Sequence, residues 1–189
     1  MKDVTTEEGQ DRRVRRTRRA IREALQTLLQ DNSIEQITVK EIAAEADIGY
    51  TTFFRHFTTK EAALADLADY EAEELIAHCF PLLRSADSRA ASLVFCQHID
   101  SRRRVWTALL TGGAASIVRE ALVRHTLERS NDWPQSRSWL PPESGLTLVI
   151  GLLVEVLGWW LSRAENLTPE HVSEIMDRLF ISKLVEKEG

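Results

Sequence analysis

Apolar positions along the first third of the chain recur at helical spacing. Ile21, Ala24, Leu25, Leu28 and Leu29 follow the i, i+3, i+4, i+7, i+8 pattern of a helix with one buried face, and predict a first helix over Asp11 to Gln30. A loop follows over Asp31 to Ile37. Thr38 and Glu41 have the spacing of a capping box, in which the hydroxyl accepts the backbone N–H of Glu41 and the carboxylate accepts that of Thr38. The helix they open has Val39, Ile42, Ala43 and Ala46 on one side and is interrupted by Asp47 and Gly49. Apolar residues resume at Ile48, Phe53, Phe54 and Phe57, with Tyr50, Thr51, Thr52, Arg55 and His56 between them, so a third short helix presents a polar, hydrogen-bonding face. Thr58 and Glu61 repeat the capping spacing and open a long helix through Leu64, Leu67, Ala68, Leu75 and Ile76, expected to end before Pro81.

From Ala86 onward the pattern is helical, with breaks at Thr111 to Gly113, Asn131 to Pro142 and Asn166 to Thr168, and no strand alternation. Trp133 to Pro142, with three prolines and two tryptophans, reads as an ordered loop. The apolar stretch Gly145 to Leu161 contains Glu155 and is shorter than the 18 or so residues of a membrane span, which predicts a buried helix and no membrane partner. Thr168 as cap with Pro169 at the first helical position starts a final helix striped by Val172, Ile175, Met176, Leu179 and Phe180. The fold class is therefore all-α.

Composition narrows the setting. With 189 residues, 43% hydrophobic and 28% charged, the chain is an ordinary globular one of one domain or two small ones. Two cysteines, Cys79 and Cys96, lack the paired spacing of a disulfide framework or zinc site, and Met1 to Arg19 lacks the apolar segment of a secretory signal. A reducing, cytoplasmic location is expected, with no metal and no cofactor.

The net charge of −5 argues against a nucleic-acid partner until it is divided along the chain. Up to Lys60 there are eleven Lys or Arg against ten Asp or Glu, and beyond it thirteen against nineteen. Arg12, Arg13, Arg15, Arg16, Arg18, Arg19 and Arg22 occur with no acid among them. In the predicted helix they fall in the first turns, where the macrodipole disfavours cations by a few tenths of a kcal/mol each, so helix stability does not account for them. Contact with phosphate does; a solvated charged face is the plainer alternative, but such faces usually mix signs.

Two short helices joined by a tight turn, the second with small hydrogen-bonding side chains, fit the helix-turn-helix, although short helix pairs also occur in helical bundles of other function. The stretch Thr38-Val39-Lys40-Glu41-Ile42-Ala43, then Ala46-Asp47-Ile48-Gly49, Thr52-Phe53-Phe54-Arg55-His56-Phe57 and Lys60-Glu61 resembles the N-terminal signature of the TetR (tetracycline repressor) family. The likeness covers Arg15 to Leu67; the helical remainder is similar only in layout. It implies a three-helix DNA-binding domain with a basic arm over residues 1–60 and a helical ligand-sensing and dimerisation domain over 61–189. It further implies that Tyr50, Thr51, Thr52 and Arg55 face bases or the groove, that Phe54, His56 and Lys60 meet the sugar-phosphate backbone, and that Thr38 presents its helix N-terminus to a phosphate. Arg15 and Arg18 join these from the arm, and Ile42, Ala43, Ile48, Phe53 and Phe57 form the small core. Three positions depart from the family pattern: Asp47 for the usual turn glycine, Gly49 for the capping Ser, and Phe54 for a frequent Tyr.

Gly151 and Gly158 lie seven apart with Ser144, Glu155 and Ser162 near the same face, a pattern equally suited to packing within the chain and to dimerisation. The resemblance implies the second, through the last two helices of each subunit, with Leu148, Gly151, Glu155, Gly158, Ser162, Val172, Ile175, Met176 and Leu179 at the interface. A homodimer would place its two heads on half-sites about 34 to 36 Å apart in a near-palindromic operator. The apolar groups Phe80, Phe95, Trp106, Leu109, Leu110, Trp159 and Trp160 suit an ordinary core as well as a pocket. Again the resemblance implies a pocket for a small, largely apolar effector, lined by Cys79, Phe95, His98, Trp106, Leu109, Glu155 and Trp159. The implied function is a ligand-released transcriptional repressor on double-stranded DNA. No GxSxG, HExxH, GxGxxG, phosphate-loop or CxxC pattern suggests an enzyme; a cysteine redox sensor or a purely structural bundle are the other readings.

Overall fold

The computed structural model describes residues 4–84, 87–111, 113–129, 141–163 and 166–182, which form helices and connections with no strand among them. In chain order the helices are α1 (Val4–Leu28), α2 (Val39–Glu45), α3 (Tyr50–His56), α4 (Lys60–Arg84), α5 (Ser88–Ser101), α6 (Arg103–Thr111), α7 (Ala115–Glu128), α8 (Pro142–Arg163) and α9 (Pro169–Met176), the last continuing into a π turn over Asp177–Ile181. Two compact units result, Met1–Leu67 and Ala68–Gly189, so the boundary falls seven residues beyond the expected Lys60 and lies within α4. The loop expected over Trp133 to Pro142 lies almost wholly outside the described residues.

In the first unit, Ile21, Ala24 and Leu25 on the inner side of α1, and Leu29 just beyond its end, join Ile42 and Ala43 of α2, Phe53 of α3 and Phe57 in the core, all buried. Ile48 is only partly covered. Helix α1 begins at Val4, earlier than the apolar periodicity shows. The arginine cluster therefore starts two turns inside the helix, and the dipole penalty that the later start implied disappears. The capping box at Thr38 and Glu41 is complete, and Asp47 adopts φ 52°, doing the work of the turn glycine in the left-handed region that Asp enters more readily than most residues.

Helix α4 is capped by Thr59, whose hydroxyl accepts the N–H of Ala62 at 3.1 Å; the expected cap at Thr58 is one residue early. Nor does the helix stop before Pro81. Proline costs the bond to the carbonyl of Ala77, but Ala77 is exposed, so water can satisfy that carbonyl and the helix runs one more turn.

In the second unit α5 packs on α9, and α8 on α6 and α7, around the fully buried Ile99, Trp106, Leu109, Leu122, Leu157 and Trp160. The Trp160 indole donates to the Leu167 carbonyl at 2.9 Å, and the Arg103 guanidinium stacks over its ring. After Met176 the backbone widens into the π turn, which places Phe180 inside and leaves Leu179 outside, off the predicted stripe. Helix α8 is the largest correction. It is long and apolar enough to cross a membrane by length and composition, yet only a third of that stretch is buried. One side is core and the other is bare, where the sequence predicted a buried helix.

Candidate nucleic-acid interface

Helix α3 is held by Phe53 and Phe57 against the small core, and its remaining positions point away from it. Tyr50 is 49% exposed, Thr51, Phe54 and Arg55 are exposed, and Thr52 and His56 are half-covered. The Phe54 ring meets Tyr50 edge-on at 5.1 Å, so the two aromatics form one exposed apolar ridge beside the polar groups. Burial, and secondarily the Arg18 charge, pulls His56 below its usual imidazole value, which keeps it neutral and leaves it a hydrogen-bonding rather than an ionic group. Gly49 caps α3 with no side-chain bond. A Cβ there would meet only the Thr52 hydroxyl at an ordinary 3.5 Å, so the usual Ser would fit and glycine is not demanded by space.

The arm arginines divide into two groups. Arg18 and Arg22 both bind Asp66, and Arg18 lies over the Phe57 ring at 5.2 Å, so Arg18 ties α1 to the start of α4 instead of standing free for a phosphate. Arg15 and Arg19 make only exposed i, i+4 pairs with Asp11 and Glu23, worth a few tenths of a kcal/mol and easily exchanged. Arg12, Arg13 and Arg16 are exposed and ion-paired with none of the described residues. Lys40, exposed on the first turn of α2, is a candidate the residue-by-residue reading left out; the signal was a cation at a helix end that disfavours one. Thr38 is exposed, but its hydroxyl is engaged with Glu41. The Lys60 ammonium does not project outward: it donates to the carbonyls of Ile34, Glu35 and Ile37.

The residues expected to line an effector pocket do not all lie inside. Cys79, Phe95, Trp106 and Leu109 are buried and His98 is half-buried, whereas Glu155 is exposed and pairs with Arg119, and Trp159 is exposed on α8. The last two therefore belong to the bare side of α8. His98 Nε2 and Trp106 Nε1 are buried without a hydrogen-bond partner. Burial raises both thiols to about 12, so neither Cys79 nor Cys96 has the accessible thiolate a redox sensor requires.

Of the interface residues, Leu148, Glu155, Ser162 and Leu179 are exposed, and Gly151, Gly158 and Ile175 partly so. Val172 and Met176 are excluded. Both are fully covered within the chain, Met176 with its sulfur 3.6 Å from the Cys96 sulfur, because α9 turns that stripe onto α5. Leu152, which the sequence reading omitted, is exposed and joins Leu148, Glu155 and Trp159 at i, i+4, i+7, i+11 along one face. A Cβ at Gly151 or Gly158 would meet nothing within 4 Å, so packing within the chain does not call for either glycine.

Burial draws the His98 imidazole down to about 4, with His78 and Arg102 adding to the shift. The folded chain keeps it neutral while the unfolded chain protonates it below 6.5, so its contribution favours folding above that value and is lost as pH falls towards 4. The melting temperature is expected to fall over this window, and less steeply in His98→Gln; equal slopes in thermal melts of the two proteins would remove His98 from the account.

Residues 21–67 match the family model described as bacterial regulatory proteins, tetR family. No curated protein matches the chain significantly. Among solved structures, a TetR transcriptional regulator from Rhodococcus sp. RHA1 is similar at 14% identity and TM-score 0.66, over 90% of this chain and 95% of that one. Thermus thermophilus FadR, a repressor solved with lauroyl-CoA, is similar at 17% identity and TM-score 0.62, over 91% and 97%. RolR, solved with resorcinol, is similar at 18% identity and TM-score 0.60, over 89% of each chain. At these identities the likeness is one of fold.

Proposed function

We propose that this chain, whose residues 21–67 match the tetR family of bacterial regulatory proteins, is a cytoplasmic homodimeric repressor released from a palindromic operator by a small, largely apolar effector. The observation that carries the DNA-binding part is the outward face of α3, where Tyr50, Thr51 and Arg55 are exposed and Thr52 half-covered, with Phe53 and Phe57 buried on the opposite side. Thr and Arg can bond base edges, and the aromatic ridge of Tyr50 and Phe54 can meet thymine methyl groups. Arg12, Arg13, Arg15, Arg16 and Lys40 supply charge for phosphates.

Pairing is supported by the bare stripe of α8 and by glycines whose missing side chains leave room for another backbone. An effector is supported by two buried polar atoms with no hydrogen-bond partner, His98 Nε2 and Trp106 Nε1. The ligands of FadR and RolR differ widely in size, so the fold sets no single effector. DNA and effector would oppose each other by reciprocal coupling, with α4 contributing residues to both units.

Selection of bound DNA from a random pool tests the reading. Enriched sequences with two inverted half-sites one helical turn apart, bound with a steep dependence on salt, are expected. A pool that enriches nothing, or binding indifferent to salt, would leave a helical bundle of other function.

A further inference from the structure

Lys60 is the residue whose position departs most from its expected role. Its ammonium donates to the carbonyls of Ile34 at 2.8 Å, Ile37 at 3.0 Å and Glu35 at 3.2 Å. An ammonium has three N–H groups and no acceptor, so these three bonds use its whole donor capacity. The loop it grips is otherwise fastened from two sides. Ile34 and Ile37 bury their side chains in the core, while the turn closes on itself through Gln36 N–H and Ile37 N–H to the Ser33 carbonyl. The Gln36 side-chain carbonyl in turn accepts the N–H of Ser33.

The bond to Ile37 matters most for α2. The peptide unit joining Ile37 to Thr38 has its N–H bound by the Glu41 carboxylate at 2.8 Å, and its carbonyl bound by Lys60. Both ends of the unit immediately before α2 are thereby held, one by the helix itself and the other by the first residue of α4. The direction in which the chain enters α2, and with it the setting of Lys40 and of the turn to α3, depends on that unit.

We infer that Lys60 is a positioning residue that clamps the Ser33–Ile37 loop and sets the start of α2 for DNA binding, and that it makes no phosphate contact of its own. The inference rests on the DNA-binding reading, because a clamp that positions the helix pair has a functional readout only if the pair binds DNA.

Two measurements test it. The first needs no variant: amine-reactive labelling of the wild-type chain, with and without selected operator, using exposed Lys40 as the internal reference. Lys60 is expected to label slowly in both states; fast labelling in the free protein with protection only by operator would overturn the clamp. The second is Lys60→Met, with folding checked by circular dichroism. Operator affinity is expected to drop about tenfold, with the slope of log K against log salt unchanged. A slope reduced by about one would mark a phosphate contact, and an unchanged affinity would mark a loop tie of no consequence for binding; either result overturns the inference. If the wild-type chain binds no DNA, the functional reading fails, while the labelling still reports whether the free protein holds Lys60 on its loop.

Discussion

Leu152→Arg is expected to leave the chain folded and to separate the proposed pair, lowering operator affinity by about a hundredfold or more. Leu152 is 53% exposed, so a charged side chain there meets water in the single chain and costs the fold little. In a pair it would force a long, hydrated charge between Leu148, Leu152 and Trp159, where the one neighbouring acid of that face, Glu155, already pairs with Arg119. Two heads on one operator gain from effective concentration, since the second contact becomes intramolecular once the first has formed, and that gain vanishes when the pair does not. Sedimentation equilibrium and fluorescence anisotropy with the selected operator give the two readouts. A variant that still sediments as a dimer would move the interface away from this face of α8.

For Arg55→Ala the expected loss is about 1–3 kcal/mol of operator affinity, roughly 5- to 150-fold, with discrimination relaxed at one base pair of each half-site. Arg55 is exposed in the last turn of α3 and takes no part in the core, so thermal stability should scarcely change. Lys40→Ala provides the contrast. A cation that meets only phosphate should weaken every sequence alike and reduce the salt slope by about one. If Arg55→Ala instead weakens all sequences uniformly, Arg55 is a backbone contact and base reading rests with Tyr50, Thr51 and Thr52.

These outcomes depend on features of unequal legibility. Most of the small core, the capping box at Thr38 and Glu41, and the left-handed turn at Asp47 could be read directly, since they follow from the apolar period within single helices, from bonds between residues no more than four apart or from one residue's backbone preference; Ile48, only partly covered, is the exception in the core. The outward set on α3 was legible for the same reason: Phe53 and Phe57 fix which side of the helix is buried, and the others follow by geometry. The arginine cluster was visible, but its division was not. Asp66 lies more than forty residues from Arg18 and Arg22, and spacing along the chain carries no record of that encounter.

The sequence by itself determined an all-helical chain, the starts of α2, α3, α4 and α9 to within a residue or two, and a tight helix pair with a polar outward face, because local hydrogen bonding and apolar period are properties of neighbouring residues; the start of α1 lay two turns earlier than the apolar period showed. Only the tertiary structure decided that Lys60 turns to the Ser33–Ile37 loop, that Val172 and Met176 face α5 while Leu152 and Trp159 face outward, and that both thiols are sealed away from water. Each of these depends on which distant surface comes to cover a given side chain. Periodicity identifies an apolar stripe on a helix, but folding decides which partner fills it and which side is left bare.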